Sequence, residues 1–211
     1  MDRDGLPFVI CPLIVAAIFS GVGVWFGAVF FVVFACALGL FFRDPERTPP
    51  EHLDAKAVLA PADGRVLHVG KPQPSVAPVG SWLQVSIFLS PLDVHINRTP
   101  VGGKVVDVTY RPGRFLAAFN ERSAQENERS EIQVESNGQL VIFRQVVGLL
   151  ARRVVCRIKP GMVVERGQRF GIMKFGSRMD VFMPADSTIA VKVGDVVRGG
   201  ETVLGNLVNM K

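Results

Sequence analysis

Near the end of the chain, Lys174-Phe175-Gly176-Ser177-Arg178-Met179-Asp180 places a hydroxyl nucleophile directly after a glycine. Glycine tolerates backbone angles closed to other residues and leaves the approach to its own carbonyl unobstructed. A serine that follows it can turn its Oγ on the carbonyl carbon of the peptide bond the two share, given a base to take its proton. The dipeptide alone is not decisive. Gly80-Ser81 is the same pair, and a turn between two strands uses the same residues.

Three other segments carry side chains suited to chemistry. Pro61-Ala62-Asp63-Gly64 sets a carboxylate at the mouth of a strand, although a plain Asp-Gly turn has the same spelling. His95 lies in a loop bounded by Pro91 and Pro100 and is one of only three histidines, with His52 and His68. Its unperturbed pKa near neutrality suits a base, and a structural donor is the alternative. Gly148-Leu149-Leu150-Ala151-Arg152-Arg153 offers paired guanidinium groups to an anionic headgroup, or else a solvated strand edge. The histidines lack metal-ligand spacing, and Cys11, Cys36 and Cys156 have no paired spacing. Neither a metal nor a disulfide is expected.

The elements that must position these residues divide by composition. Residues 8–42 contain no charged side chain, whereas residues 43–211 contain 23 Lys+Arg and 17 Asp+Glu, a net of +6. The apolar part breaks at Ser20-Gly21-Val22-Gly23, which predicts a helical hairpin. Its second arm, residues 24–42, is close to the ~20 residues that cross a bilayer. It ends on Arg43-Asp44-Pro45-Glu46-Arg47 without a cleavage site, so it is read as a retained membrane-associating segment, residues 1–42. The positive-inside tendency puts the body, residues 43–211, on the cytoplasmic face.

The body consists of short apolar runs cut by glycine and proline, such as residues 64–69, 82–89 and 140–147. That texture predicts a mostly β, compact, barrel- or sandwich-like fold. Residues 114–130 are the one long polar stretch, read as a solvated loop or short helix, or as a flap beside a site. Gly161-Met162-Val163-Val164-Glu165-Arg166-Gly167 matches Gly194-Asp195-Val196-Val197-Arg198-Gly199-Gly200 at an offset of 33. The repeat predicts two related glycine-turn hairpins with Gly176-Ser177 between them.

Taken in order, Phe41-Phe42-Arg43-Asp44-Pro45, Pro61-Ala62-Asp63-Gly64, the Ser90 to Pro100 loop, Asn127-Glu128-Arg129, Ala151-Arg152-Arg153 and Phe175-Gly176-Ser177-Arg178 resemble the phosphatidylserine decarboxylase proenzymes, short bacterial and archaeal branch. The resemblance implies self-cleavage between Gly176 and Ser177 into residues 1–176 and 177–211, which stay together as a heterodimer. It implies that Ser177 becomes a pyruvoyl group, the only cofactor, whose carbonyl serves as electron sink while membrane phosphatidylserine loses carbon dioxide to give phosphatidylethanolamine. It maps the activating base onto His95 and the group orienting it onto Asp63. A higher homo-oligomer is compatible with it. The longer relatives carry a second histidine where this chain has Arg98, and Leu-Gly-Ser-Thr where it has Phe175-Gly176-Ser177-Arg178. His95 is therefore left to serve cleavage, decarboxylation or both.

Two other classes compete. A biotinyl- or lipoyl-type carrier also pairs two similar hairpins around a lysine, here Lys174, but it needs neither Asp63, His95 nor a Gly-Ser bond, and Phe175 departs from its pattern. A nucleic-acid binder fits poorly, because the positive charge is dispersed and one tyrosine and two tryptophans make few stacking platforms.

Overall fold

The computed structural model describes residues 1–72, 76–118, 120, 122–149, 154–174 and 176–208. Phe175 and the Arg152-Arg153 pair singled out in the sequence lie outside the described residues. The chain forms two compact units, Met1–Glu46 and Arg47–Lys211.

In the first unit a 3-10 turn, Arg3–Gly5, leads into helix α1, Leu6–Gly21, and then helix α2, Trp25–Phe41. Proline in the first turn of α1 removes an amide that would lack a helical partner anyway. The helices fold back on each other. Phe19 stacks on Phe31 with ring centroids 5.6 Å apart, and the Asp2 amide donates to the Phe42 carbonyl at 3.0 Å. Mainly small residues, such as Ala16, Ala28 and Ala35, are buried, while Phe26 is 95% exposed and Trp25 66%. A helix pair apolar on nearly every side suits an apolar surrounding. The helical stretch Arg3–Gly21 is long and apolar enough to cross a membrane; Trp25–Phe41, at 17 residues, is shorter.

The second unit is mostly β. Its first half carries β1 (Ala57–Leu59), β2 (Gly64–Gly70), β3 (Trp82–Leu89), β4 (Ile96–Arg98) and β5 (Gly103–Arg111), then a one-turn helix α3 (Ser123–Glu126). There follow β6 (Arg129–Ser136), β7 (Gln139–Val147), β8 (Val154–Cys156), β9 (Val163–Val164), β10 (Arg169–Met173), β11 (Ser177–Pro184), β12 (Thr188–Ile189), β13 (Val196–Val197) and β14 (Val203–Asn206). Eight strands form one antiparallel sheet in the order β13-β2-β3-β11-β7-β6-β5-β9, and two three-stranded sheets run β4-β10-β8 and β1-β14-β12. The large sheet is not a closed barrel, since among the described residues its edge strands pair only inward, β13 with β2 and β9 with β5.

Alternation along the strands decides which side chains are buried in the core. Val85 and Ile87 of β3, Met179 and Val181 of β11, Phe143 of β7 and Ile132 of β6 belong to one apolar cluster that also takes in Phe170 of β10 and Leu204 of β14. Phe143 meets Phe170 edge to face at 5.1 Å. The other face of the sheet carries the polar row Ser86, Asp180, Arg144 and Glu131 with Arg178 beside it, next to a smaller apolar cluster that includes Ile142 and Phe182.

The glycine repeat is half of a larger duplication. Val66 donates to the Asp195 carbonyl and accepts from the Gly194 amide; Val105 makes the same two bonds with Met162 and Gly161. The β1–β2 and β4–β5 segments are thus equivalent at an offset of 39, each paired with one copy of the glycine hairpin. Both β2 and β5 have an irregularity at the same place, between Val66 and His68 and between Val105 and Asp107.

Candidate active site

Gly176 adopts φ 72°, in the left-handed region that favours glycine. The strand β11 begins immediately after it, so Ser177 is held between Leu89 of β3 and Val147 of β7. Ser177 is fully buried, and its Oγ has no hydrogen-bond partner among the described residues. Burying a hydroxyl without a partner costs roughly 1 to 3 kcal/mol, so its presence here calls for a reason.

His95 is likewise fully buried. It directly precedes β4, and the Met173 amide at the end of β10 donates to its carbonyl at 3.2 Å. Its Nδ1 lies 2.9 Å from the Asp93 carbonyl. A carbonyl only accepts, so this contact assigns the proton to Nδ1 and leaves a lone pair on Nε2. Nε2 is 3.5 Å from the Gly176 amide nitrogen. The ring therefore presents its basic nitrogen to the peptide segment that carries the Gly-Ser bond.

Asp63 is placed elsewhere. Its Oδ2 accepts from Arg47 at 2.6 Å and its Oδ1 from the Gly199 amide at 2.8 Å, while Arg47 also reaches Glu201 at 3.2 Å. With both oxygens engaged in this way, no hydrogen bond joins Asp63 to His95 among the described residues, and the Asp93 carbonyl holds the ring. Arg98 is buried and donates to the Gly167 carbonyl at 3.1 Å. Lys174 is half-buried between the ends of β10 and β11. A carrier lysine needs an exposed hairpin tip, and this one does not have it.

Two further residues, Gly148 and Asn127, stand in segments singled out in the sequence but had no role assigned there, and both shape the site. A Cβ on Gly148 would stand 2.1 Å from the Gly176 carbonyl oxygen and 2.9 Å from its carbon, so only glycine lets β7 run this close to the Gly-Ser bond. Asn127, fully buried, donates to the carbonyls of Leu116 and Val147 at 2.8 Å each and accepts from the Leu116 amide at 2.9 Å. It pins part of the polar stretch to the residue paired with Ser177. Asparagine within a polar run is ordinary, and nothing in its neighbours shows that it is buried.

An unpartnered hydroxyl after a left-handed glycine, with the basic nitrogen of a histidine at the Gly176 amide, has the parts for nucleophilic chemistry. A family model described as phosphatidylserine decarboxylase matches residues 34–205. A phosphatidylserine decarboxylase proenzyme of Geotalea daltonii is 42% identical over 205 residues, 96% of this chain and 94% of the relative. Its counterpart from Magnetococcus marinus is 43% identical over 210 residues, 97% and 94% of the two chains, and that from Pelobacter propionicus 49% over 169 residues, 79% and 75%. The chain belongs to the phosphatidylserine decarboxylase family.

Proposed function

We propose that this chain decarboxylates phosphatidylserine to phosphatidylethanolamine and carbon dioxide after cutting itself between Gly176 and Ser177. The observation that carries the reading is the buried, unpartnered Ser177 Oγ directly after Gly176 at φ 72°, with His95 Nε2 at the Gly176 amide. In the uncut chain His95 takes the Ser177 hydroxyl proton as Oγ attacks the Gly176 carbonyl carbon. The C–N bond then breaks, leaving an ester to Oγ and a free amine on residue 177. Loss of the Cα proton expels the Gly176 carboxylate and leaves dehydroalanine, which water converts to a pyruvoyl group with release of ammonia. The buried serine fits a group made in place from the chain itself, and the pyruvoyl carbonyl supplies an acceptor for the electron pair that carbon dioxide leaves behind.

The remaining work falls to this chain's side chains. His95, held by the Asp93 carbonyl, is suited to return a proton to the decarboxylated carbon. Asp63 enters as a positioning group, tying Arg47 to the Gly199 turn. The exposed apolar surface of the hairpin associates with the membrane that holds the substrate, with the body on the cytoplasmic face. Residues 1–176 and 177–211 remain together as one enzyme.

The test is a time course of intact mass beside lipid turnover. Wild type should yield two chains parted after Gly176, the smaller blocked to Edman sequencing. Ser177→Ala should stay whole and inactive, and His95→Ala should accumulate uncut precursor. A single intact mass in an active preparation refutes the reading; full cleavage with no turnover in His95→Ala restricts His95 to decarboxylation.

A further inference from the structure

On the polar face of the large sheet a cavity of about 460 Å³ opens beside Arg111, Arg129 and Arg144, walled by Trp82, Leu140 and Ile142. Ser177, Met179 and Val181 alternate with Arg178 and Asp180 along β11, and Asp180, Arg144 and Glu131 lie side by side across β11, β7 and β6. The cavity therefore lies across the sheet from the face to which Ser177 belongs, and no step proposed above uses it.

Its charges do not balance. Among the described residues Glu131 is the only anionic side chain in the lining, and it is bound by the Arg144 Nε; Asp180, nearby, is bound by the Arg178 Nε at 2.6 Å. Arg144 is further held by the Val76 carbonyl and lies 4.7 Å over the Phe182 ring. Among the described residues that leaves Arg129 and Arg111 without an ion pair to a carboxylate. Arg129 spends its Nη1 on the carbonyls of Gln125 and Asn127, while its Nε is buried with no hydrogen-bond partner. The exposed Arg111 side chain forms no hydrogen bond or ion pair among the described residues. Burial first, then repulsion from Arg144 and Arg111, lowers the Arg129 pKa, against the opposing pull of Glu131 and Asp180.

Guanidinium groups that repel one another around an open cavity are relieved by an anion bound between them. Guanidinium forks match phosphate oxygens, and the volume is in the range of small-molecule sites, ~300 to 1,000 Å³. We propose that this cavity binds the phosphate of a phosphate ester, with Arg129 and Arg111 as donors and the Trp82 wall against the apolar part of the ligand. The chemistry is shared by a soluble phosphate ester and by the headgroup of an anionic phospholipid.

Trp82 reports on the cavity. In full-length protein carrying Trp25→Phe it is the sole tryptophan. Its emission should respond saturably to sn-glycerol 3-phosphate, or to transfer from phosphatidylcholine nanodiscs into discs containing phosphatidylglycerol. Response to the first probe identifies a soluble ester, and response to the second alone a lipid headgroup. Arg129→Gln and Arg111→Gln should each weaken the response about tenfold or more, as loss of a charge-assisted hydrogen bond does. Arg111→Gln removes an exposed side chain and leaves the fold intact, so it decides the matter if Arg129→Gln misfolds. Ser177→Ala should respond like wild type, which separates this site from the decarboxylase reading. No saturable response to either probe, or one that Arg111→Gln leaves unaltered, overturns the proposal.

Discussion

Gly148 has no side chain where a methyl group would overlap the Gly176 carbonyl oxygen at 2.1 Å. A Cβ there must push β7 away from the start of β11 or turn the Gly176 carbonyl out of its present direction, because both contacting atoms are backbone. Gly148→Ala should therefore retain the sheet, at a cost of about 1 to 3 kcal/mol for overpacking, and slow precursor cutting by at least tenfold on the intact-mass time course. Cutting at the wild-type rate would show that the close approach is not required. The Gly176-Ser177 dipeptide was legible in the sequence because its two residues are adjacent in it. Gly148 was not, since a glycine's meaning lies in what its missing Cβ would hit. The support for His95 was not either: it comes from the Asp93 carbonyl, and a backbone acceptor has no residue type.

At the scale of elements, the strands bounded by glycine and proline were readable, whereas β11 and β4 were not. Arg178 and Asp180 interrupt the apolar run of β11, yet they obey its period of two and pair with each other on the polar face, Arg178 Nε to Asp180 Oδ1 at 2.6 Å. In β4, Asn97 is fully buried and accepts from Gln145 at 2.8 Å, so the strand has a polar interior partner and no hydrophobic signature. The polar stretch that could have been an open flap is partly tied down by Asn127 across to β7. Replacing Asn127 by Ala strands the Leu116 amide and the Leu116 and Val147 carbonyls, a loss of roughly 2 to 4 kcal/mol for buried groups left unpaired. Asn127→Ala should lower the melting temperature and slow cutting together, through Val147, the neighbour of Ser177. Asn127→Asp keeps the acceptor for the Leu116 amide and should fall between. Cutting at the normal rate in a destabilised Asn127→Ala protein would separate the clamp from the reaction.

For the molecule as a whole, charge patterning set the apolar segment apart at residue 42, and the compact units meet at Glu46 and Arg47. The difference matters because Arg47 is held by Asp63 and Glu201 within the body. Deletion of residues 1–46, leaving Arg47 in place, is expected to give a soluble body that still cuts itself and accepts detergent-dispersed phosphatidylserine, with turnover on bilayers reduced about tenfold or more. Equal turnover on bilayers and in detergent would remove the hairpin from substrate delivery; failure of the truncated body to fold or cut would make the hairpin part of its core. The offset-33 repeat was visible because its glycines and valines recur, while its offset-39 counterpart survives only in backbone pairing. Leu59 and Arg98, or Asp63 and Gly102, occupy equivalent places with unrelated side chains.

Strand β11 lies in the interior of the large sheet, bonded to β3 over residues 177–184 and to β7 over residues 177–182. A chain parted just before it would carry a fragment whose first strand is clasped on both sides, with β12 and β14 built into a second sheet against β1. Unfolding then becomes dissociation. Refolding turns from a first-order event into a second-order encounter between a long piece and a short one, and it weakens with dilution. On the proposed cleavage, the covalent linkage that lets the strand find its slot as one molecule would be used once, during the first folding, and then lost. From that moment the lifetime of the enzyme would be set by the rate at which the sheet opens rather than by an equilibrium it could return to.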